Sequence, residues 1–349
     1  MWLLVRLLGH DRERLWLVVG VVVGVGFLNK HTVVFVGVGL VAGLLLGGRT
    51  RQLRSPWLWA GAAIAAAIAL PNVVWHAQHE WPVFEMLDSL QQESEPADSL
   101  LFLPAQLGAT ATTAVVWLPG LVWLLRSRDA ERVRPLGFAY VTLVVIFIVT
   151  SAKPYYLAGM YPALLAAGGV VWERRGRVAV PAAVVGVGAF ALALAIPILP
   201  PARAARLPIE DLELEFGAQL GWERLVDHVG VAWSSLPAVD RDRAVIFTRN
   251  YGEAGAVDRF GPALGLPRAY SGHNNYWLWG PPKVARAPAI VVGYTPDELD
   301  GSFARCGIVW RFATPHGVAS EEEGMPVTLC RTQIVDWDDL WPELRRYTA

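Results

Sequence analysis

Residues 15–47 read LWLVVGVVVGVGFLNKHTVVFVGVGLVAGLLLG, an apolar stretch that is interrupted by the turn Asn29-Lys30-His31. A membrane-spanning helix needs about 20 apolar residues, so the whole stretch is too long for one span. Divided at the turn, it gives two short spans, 15–28 and 31–47, which a locally thinned bilayer can accommodate. The choice between one span and two depends on the charge of the loops.

The arginines of the loops favour two spans. They cluster before residue 15 and again at 49–54, 126–134 and 174–177. If 15–47 is a hairpin, all four clusters lie on one side of the membrane, which the positive-inside rule assigns to the cytoplasm. Five further apolar segments bring the total to seven spans: 56–75, 102–125, 135–152, 154–172 and 178–199. We therefore expect a multi-pass protein of the cell membrane with a cytoplasmic N-terminus.

The composition divides the chain into two regions. Of its 349 residues 54% are hydrophobic and 17% are charged, against roughly 25% charged residues in a typical soluble domain. Residues 1–200 carry a net charge of +4 and residues 201–349 a net charge of −5. We expect an α-helical polytopic membrane domain at 1–200 and a small extracytoplasmic α/β domain at 201–349. The lipid bilayer is thus an expected partner, whereas a basic nucleic-acid binder, a disordered chain and a disulfide-dense miniprotein are excluded.

The acidic C-terminal region has the pattern of a small sheet flanked by helices. Short apolar runs predict strands at Ala244–Thr248, Ala289–Tyr294 and Val327–Cys330, and helical spacing predicts helices at Trp222–Ser235 and Gly252–Leu264. The Pro- and Arg-rich stretch 197–208 is typical of a linker. No glycine-rich phosphate-binding motif follows a strand, so the pattern does not support nucleotide binding.

Both cysteines, Cys306 and Cys330, lie in this region. If the region is exported, they are in an oxidising space in which a disulfide can form and persist. We predict that they pair with each other. The alternative is two buried free thiols.

Lysine is rare in this sequence, with three lysines against 27 arginines. Lys30 and Lys153 lie at the outer ends of predicted spans, where the topology otherwise avoids positive charge. A cation at this boundary can bind a lipid phosphate, and the phenols of Tyr155 and Tyr156 can donate to the same phosphate. The alternative is an ordinary snorkelling lysine beside an interfacial tyrosine belt.

Two polar and aromatic segments have the composition of a sugar or acceptor site. The first contains His79, Glu80 and Trp81, and the second, at 270–282, contains His273, Asn274 and Trp277. The alternatives are an interfacial tryptophan belt with a helix cap for the first, and a buried polar loop on the sheet for the second. His79 and Glu80 could also bind a metal, but two candidate ligands without a third do not define a site, so we assign no metal ligand and no cofactor.

Several of these segments resemble a known family. The NKHT turn between two apolar spans and the later segment KPYYLAGMYPALLAAGG (153–169) resemble the polytopic glycosyltransferases of family 39. This family includes bacterial protein-mannosyltransferase-like and aminoarabinose-transferase-like enzymes. The segments NYGEAGAVDRFGPALGLP (250–267) and YSGHNNYWLWGPP (270–282) resemble the extracytoplasmic domain of a bacterial subgroup.

The resemblance implies a membrane enzyme of the GT-C type. Its donor would be a polyprenyl-phosphate-linked sugar, attacked on the outer side by the hydroxyl of an unknown acceptor, with inversion at the anomeric carbon. Lys153, Tyr155 and Tyr156 match the segment that lies near the lipid phosphate in such enzymes. A cation at the departing phosphate lowers the barrier because negative charge grows there.

The catalytic acid of this family lies in the first large outer loop. The first outer turn here, Asn29-Lys30-His31, contains no carboxylate, so no catalytic residue is assigned, and we expect the chain to correspond to the C-terminal portion of such an enzyme. Two other classes remain open: a non-catalytic membrane protein that binds lipid or glycan or serves as the partner subunit of a complete enzyme, and a transporter. The transporter is less favoured because the predicted spans lack charges near their middles.

Overall fold

The computed structural model describes residues 1–10, 12–93, 96–195, 200–204, 217–318 and 320–348. It divides the chain into two compact units, Met1–Ala191 and Leu192–Ala349. The predicted linker at 197–208 lies outside the described residues except for 200–204.

The first unit is built from helices, and its apolar stretch 15–47 is divided at the predicted turn. Three 3₁₀ segments, Thr50–Arg54, Arg128–Ala130 and Pro154–Met160, connect the helices. The helices are α1 (Trp2–His10), α2 (Leu15–Asn29), α3 (Val33–Leu46), α4 (Pro56–Gln78), α5 (Pro82–Glu93), α6 (Pro96–Ala109), α7 (Ala111–Arg126), α8 (Arg134–Val149), α9 (Tyr161–Arg174) and α10 (Ala179–Ala195).

The lengths of the helices support fewer membrane spans than the seven that the sequence predicts. Within the described ranges, only α4 is long and apolar enough by itself to cross a membrane. A second candidate is the pair Leu101–Ala109 and Ala111–Arg126, bent by 106°. Shorter apolar helices are Leu15–Asn29, Val33–Leu46, Arg134–Val149 and Ala179–Ala189. The arrangement of about seven spans stays a prediction.

Two of the predicted spans are not single straight helices. The segment 102–125 breaks at Thr110, whose hydroxyl donates to the Gln106 carbonyl (2.7 Å). A threonine hydroxyl that bonds back to the carbonyl four residues earlier often bends a helix. The segment 154–172 begins as the 3₁₀ segment Pro154–Met160, and α9 begins only at Tyr161. Pro162 lacks the N–H that a continuous helix would need, so it suits the first turn of a new helix.

Three pairs of helices in the first unit touch backbone to backbone. α2 meets α4 where a Cβ atom on Gly20 would lie 2.1 Å from the Gly61 carbonyl oxygen. α7 meets α9 in the same way at Gly120 and Gly168, and Gly43 of α3 lies against α8. Close approach at small residues is the usual way in which helices associate within a membrane, where burial from water does not drive them together.

The second unit combines a five-stranded sheet with short helices. The sheet order is β2-β1-β3-β5-β4; β1 is parallel to β2 and β3, and β5 is antiparallel to β3 and β4. The elements are α11 (Pro201–Ala204), α12 (Trp222–Ser234), α13 (Ala238–Arg241), β1 (Val245–Thr248), α14 (Tyr251–Phe260), β2 (Ala269–Ser271), β3 (Ala289–Val292), β4 (Phe303–Arg311), β5 (Pro326–Gln333) and α15 (Trp337–Leu340).

The three predicted strands correspond to β1, β3 and β5, and the two predicted helices to α12 and α14. The sequence reading missed β2, which has three residues, and β4, in which Arg305 and Gly307 interrupt the apolar pattern. Cys306 on β4 lies opposite Cys330 on β5, and the two form a disulfide. The predicted disulfide is therefore confirmed.

Candidate functional site

Lys30 lies against the two tyrosines that follow Lys153 in the sequence. It ends α2 in an extended conformation, and its Nζ atom is 5.0 Å from the ring centroid of Tyr155 and 5.3 Å from that of Tyr156. Both distances are within the range of a cation–π contact. The structure thus brings together three of the four residues predicted to bind a lipid phosphate. We call Lys30, Tyr155 and Tyr156 the cation–tyrosine cluster.

A buried glutamine holds the segment that carries these tyrosines. Gln106, which is 4% exposed, lies at the bend between α6 and α7. Its amide nitrogen donates to the Pro154 carbonyl, and the Tyr161 hydroxyl donates to its amide oxygen. The side chain of Lys153, the fourth predicted residue, is exposed directly before this segment.

A second group of side chains begins at the next residue, His31. Its Nε2 atom donates to the Asn72 side-chain oxygen (3.0 Å), and its ring centroid is 5.2 Å from that of His76. On the same end of α4, Trp75 stacks on His79 with ring centroids 4.4 Å apart. The ring of Trp81 is nearly parallel to that of His76, 6.4 Å away. We call these residues the imidazole–indole cluster: His31, Asn72, Trp75, His76, His79 and Trp81.

The turn after α4 holds Trp81 in a strained conformation. Glu80 and Trp81 have φ values of 60° and 58°, in the left-handed region that favours glycine. The Trp81 N–H donates to the His76 carbonyl (2.8 Å), which closes the turn over the end of the helix. His76 is 9% exposed, and among the described residues its Nδ1 atom has no hydrogen-bond partner. Strained backbone of this kind is often found at binding sites.

The predicted sugar contacts of the second unit have partners within that unit. The imidazole of His273, 4% exposed, lies 3.0 Å from the Thr348 hydroxyl, and burial followed by the charge of Arg346 lowers its pKa. The Asn274 amide donates to the Thr348 carbonyl (3.2 Å). The Trp277 indole donates to the Trp341 carbonyl (2.8 Å). These contacts hold the C-terminal segment, as the buried-loop alternative requires, and a sugar contact here stays a prediction.

Across the described part of the chain, no group of three or more His, Cys, Asp or Glu side chains is arranged to hold a metal ion. His79 and Glu80 therefore gain no third ligand there. The Nδ1 atom of His79 is instead 2.7 Å from the Trp75 carbonyl oxygen.

The sequence reading overlooked how α4 arranges its polar residues. Asn72, His76 and His79 follow a spacing of four and then three residues, which places them on one face of a helix. That spacing was the available signal for their grouping. Gln106 carried a weaker signal as an isolated amide in an apolar segment, and nothing in its spacing points to Pro154.

Residues 1–75, which include α2 and the Asn29-Lys30-His31 turn, match the family model described as dolichyl-phosphate-mannose-protein mannosyltransferase. A curated relative, the lipid A galacturonosyltransferase RgtD of Rhizobium johnstonii (strain DSM 114642 / LMG 32736 / 3841), is 32% identical over 146 residues. The matched region covers 40% of this chain and 31% of that relative. No solved structure matches the chain.

These findings confirm the resemblance that the sequence predicts: the chain is similar to glycosyltransferases of the dolichyl-phosphate-mannose-protein mannosyltransferase family, and residues 1–75 are the part that matches the family model.

Proposed function

We propose that the chain is a membrane glycosyltransferase. It transfers a sugar from a polyprenyl-phosphate donor to an acceptor hydroxyl on the outer face of the membrane, with inversion at the anomeric carbon. The membrane domain has about seven spans and a cytoplasmic N-terminus, and the α/β domain is extracytoplasmic. The similarity to a mannosyltransferase family and to a galacturonosyltransferase supports glycosyl transfer as the reaction class.

The surface of the helical unit supports its place in a bilayer. Large apolar side chains of α2 and α3 face outward and are exposed by about half, as Val22 (56%), Val25 (55%) and Leu45 (53%) show. Apolar patches of this extent are rare on soluble monomers and suit contact with lipid. The backbone contact of α2 and α4 at Gly20 and Gly61 fits the same environment.

The contact of Lys30 with Tyr155 and Tyr156 is the observation that carries the proposal. One ammonium and two phenols, brought together from distant parts of the sequence, supply a positive charge and hydroxyl groups that can bind a phosphate. In the proposed reaction the bond between the anomeric carbon and the phosphate oxygen breaks as the acceptor oxygen bonds to that carbon, and the acceptor hydroxyl gives its proton to a general base, a role to which no residue is assigned. The phosphate gains negative charge, which Lys30 stabilises most in the transition state.

The imidazole–indole cluster is the proposed place of the sugar. Because His31 follows Lys30 directly, a donor whose phosphate lies at Lys30 has its sugar next to His31 and the end of α4. The indole of Trp81, 39% exposed, offers a face for sugar C–H groups.

Binding of a short prenyl phosphate tests the phosphate site. The full chain in detergent should bind farnesyl phosphate and should bind farnesol, which lacks the phosphate, at least tenfold more weakly. Lys30→Ala should remove most of this difference, because a charge-assisted hydrogen bond contributes about 1.5–3 kcal/mol. Lys283→Ala is the matched control, since Lys283 is an exposed lysine of the second unit. Equal binding of the two ligands by the unaltered chain would refute the site.

A second function is a lipid- or glycan-binding protein that serves as partner subunit of a complete enzyme. The absence of a carboxylate from the Asn29-Lys30-His31 turn favours it. A transfer assay with a lipid-linked sugar separates the two functions: binding of farnesyl phosphate without any sugar transfer supports the partner subunit.

A further inference from the structure

We propose that the helical unit binds an anionic phospholipid at the end opposite to Lys30. One acyl chain lies in an apolar groove between α2, α3 and α4, and the phosphate lies at the mouth of the groove beside Arg49 and Arg51. This site lies outside the donor site of the proposed function.

The groove lies between two pairs of close-packed helices. α2 packs on α4 through Gly20 and Gly61, and α3 packs on α8 through Gly43. Between the pairs is a cavity of about 150 Å³ whose lining is contributed by α2, α3 and α4 and contains no charged side chain. Its walls include Val19, Leu40, Leu44, Leu58 and Ala62. Such a lining suits a hydrocarbon chain, each buried CH₂ group of which favours binding.

A polar cavity lies where the groove ends. It has a volume of about 240 Å³ and is lined by Glu13, Gly48, Arg49, Arg51 and Gln52. Gln52 is 4% exposed, and its side-chain oxygen accepts a hydrogen bond from the Trp16 indole (3.1 Å). Since Trp16 also lines the apolar groove, the walls of the two cavities meet at this bond. The polar cavity is therefore adjacent to the apolar groove.

The charge at the mouth selects a phosphate. Arg51 is exposed, and Arg49 donates to the Leu8 carbonyl (3.2 Å) within the same region. Glu13 is the carboxylate of this cavity, and it accepts a hydrogen bond from the Ser55 hydroxyl (2.7 Å). Arg49, Arg51 and Glu13 thus line the same polar cavity. This end is the predicted cytoplasmic end, and the cytoplasmic leaflet is the one whose anionic lipids attract basic residues.

Thermal unfolding of the full chain in detergent tests the acyl part of the site. Phosphatidylglycerol should raise the midpoint temperature, since a ligand of the folded state stabilises it by mass action. Gly37→Leu should abolish this rise, because Gly37 lines the groove and a Cβ atom there meets nothing within 4 Å. Gly169→Leu is the matched control: it also has open space at Cβ but lies on α9, away from the groove. An unchanged rise in Gly37→Leu would overturn the proposal.

The head group is tested separately. Phosphatidylglycerol should bind more tightly than zwitterionic phosphatidylcholine, and Arg51→Gln should reduce this preference about fivefold, which corresponds to about 1 kcal/mol per arginine near a membrane surface. Arg54→Gln, an exposed neighbour outside the lining, should retain it. Glycerol phosphate, the head group alone, should give no thermal shift.

Three results would overturn the phospholipid site. The first is equal binding of the two phospholipids, and the second is a full thermal shift with glycerol phosphate. The third is that farnesyl phosphate binds more tightly than phosphatidylglycerol and that Arg51→Gln weakens this binding of farnesyl phosphate. If Gly37→Leu does not fold, native mass spectrometry can compare the phosphatidylglycerol that is retained by the unaltered chain with the amount retained by Arg51→Gln. The proposal requires that Arg51→Gln retains less. Because Lys30→Ala removes only the donor site, it should leave the phosphatidylglycerol shift intact, which separates this proposal from the proposed function.

Discussion

Glu80 is a non-glycine residue in a backbone conformation that favours glycine. Glu80 follows the last turn of α4 with a φ of 60°, where glycine is the usual choice. A left-handed conformation costs an L-residue roughly 1–2 kcal/mol. Glutamate at this position therefore lowers the stability of the fold relative to glycine. Such a residue is expected where the side chain serves function instead of stability.

Glu80→Gly should raise the free energy of unfolding by about 1 kcal/mol, because glycine adopts this conformation without strain. Denaturant unfolding in detergent measures the change. The control is Glu85→Gly within α5, where a glycine should lower stability by about 1 kcal/mol. A loss of stability in Glu80→Gly would show that the contacts of Glu80 outweigh its backbone strain.

Glu253 is the buried acid of the second unit. It is 1% exposed, and burial raises its pKa to about 7 although backbone hydrogen bonds around Asn250 and Arg249 oppose the shift. Between its ordinary pKa of 4.5 and this value, the folded state keeps a proton that the unfolded state has lost. The free energy of unfolding therefore falls as the pH rises through this window, by up to about 3 kcal/mol, and is constant above it.

Glu253→Gln should remove this slope between pH 4.5 and 7. Glutamine can keep the capping box that Glu253 forms with Asn250 at the start of α14. The measurement is protection of the second unit from proteolysis in increasing urea, at several pH values. Glu298→Gln is the control, since hydrogen bonds from Thr295 lower the pKa of Glu298 and place its titration below this window. A slope that persists in Glu253→Gln would assign it to another group.

At the scale of elements, the sequence pattern predicted the regular helices and strands but not the break in a helix or the irregular strand. The two helices on either side of the Asn29-Lys30-His31 turn and the buried strands β1 and β3 follow from apolar runs and their spacing. The break at Thr110 does not follow, because it depends on hydrogen bonds of Thr110 and on contacts that Gln106 makes 48 residues away. The strand β4 was missed because pairing with β5 outweighs its irregular pattern.

The candidate site was predictable to the same limited extent. Sparse lysine placement pointed to Lys30, and the KPYY segment pointed to Tyr155 and Tyr156. The contact between them, and the grouping of His31 with Asn72 and His76, comes from helix packing that no local pattern encodes.

Gly61→Ala tests the packing of α2 against α4. A Cβ atom at Gly61 would lie 2.2 Å from the Trp16 carbonyl oxygen, so the helices must move apart. Overpacking of this kind typically costs 1–3 kcal/mol. Gly186→Ala in α10, where a Cβ meets nothing within 4 Å, should instead be neutral or gain up to about 1 kcal/mol. Equal stability of the two variants in detergent would contradict the close contact.

At the scale of the whole molecule, Lys30 can meet an outer-face donor only if the Asn29-Lys30-His31 turn lies on the outer side of the membrane. The charges of the arginine-rich loops predict that the second unit lies outside, and the disulfide between Cys306 and Cys330 suits that location.

Labelling of single cysteines in intact cells tests this orientation. With Cys306 and Cys330 replaced by serine, Asp300→Cys should react with a membrane-impermeant maleimide, because it is exposed in the second unit. Arg128→Cys, exposed in a predicted inner loop, should react only after the cells are permeabilised. The reverse pattern would invert the topology and place Lys30 on the cytoplasmic side.

The central claim is that the ammonium group of Lys30 contacts the donor phosphate. Because the chain has three lysines, lysine labelled with ¹⁵N at Nζ gives few signals, and solid-state NMR can measure their dipolar coupling to the ³¹P nucleus of bound farnesyl phosphate. We predict a strong coupling that Lys30→Ala removes and Lys283→Ala leaves unchanged. A bound phosphate whose ³¹P nucleus shows no coupling to Lys30 would contradict the account.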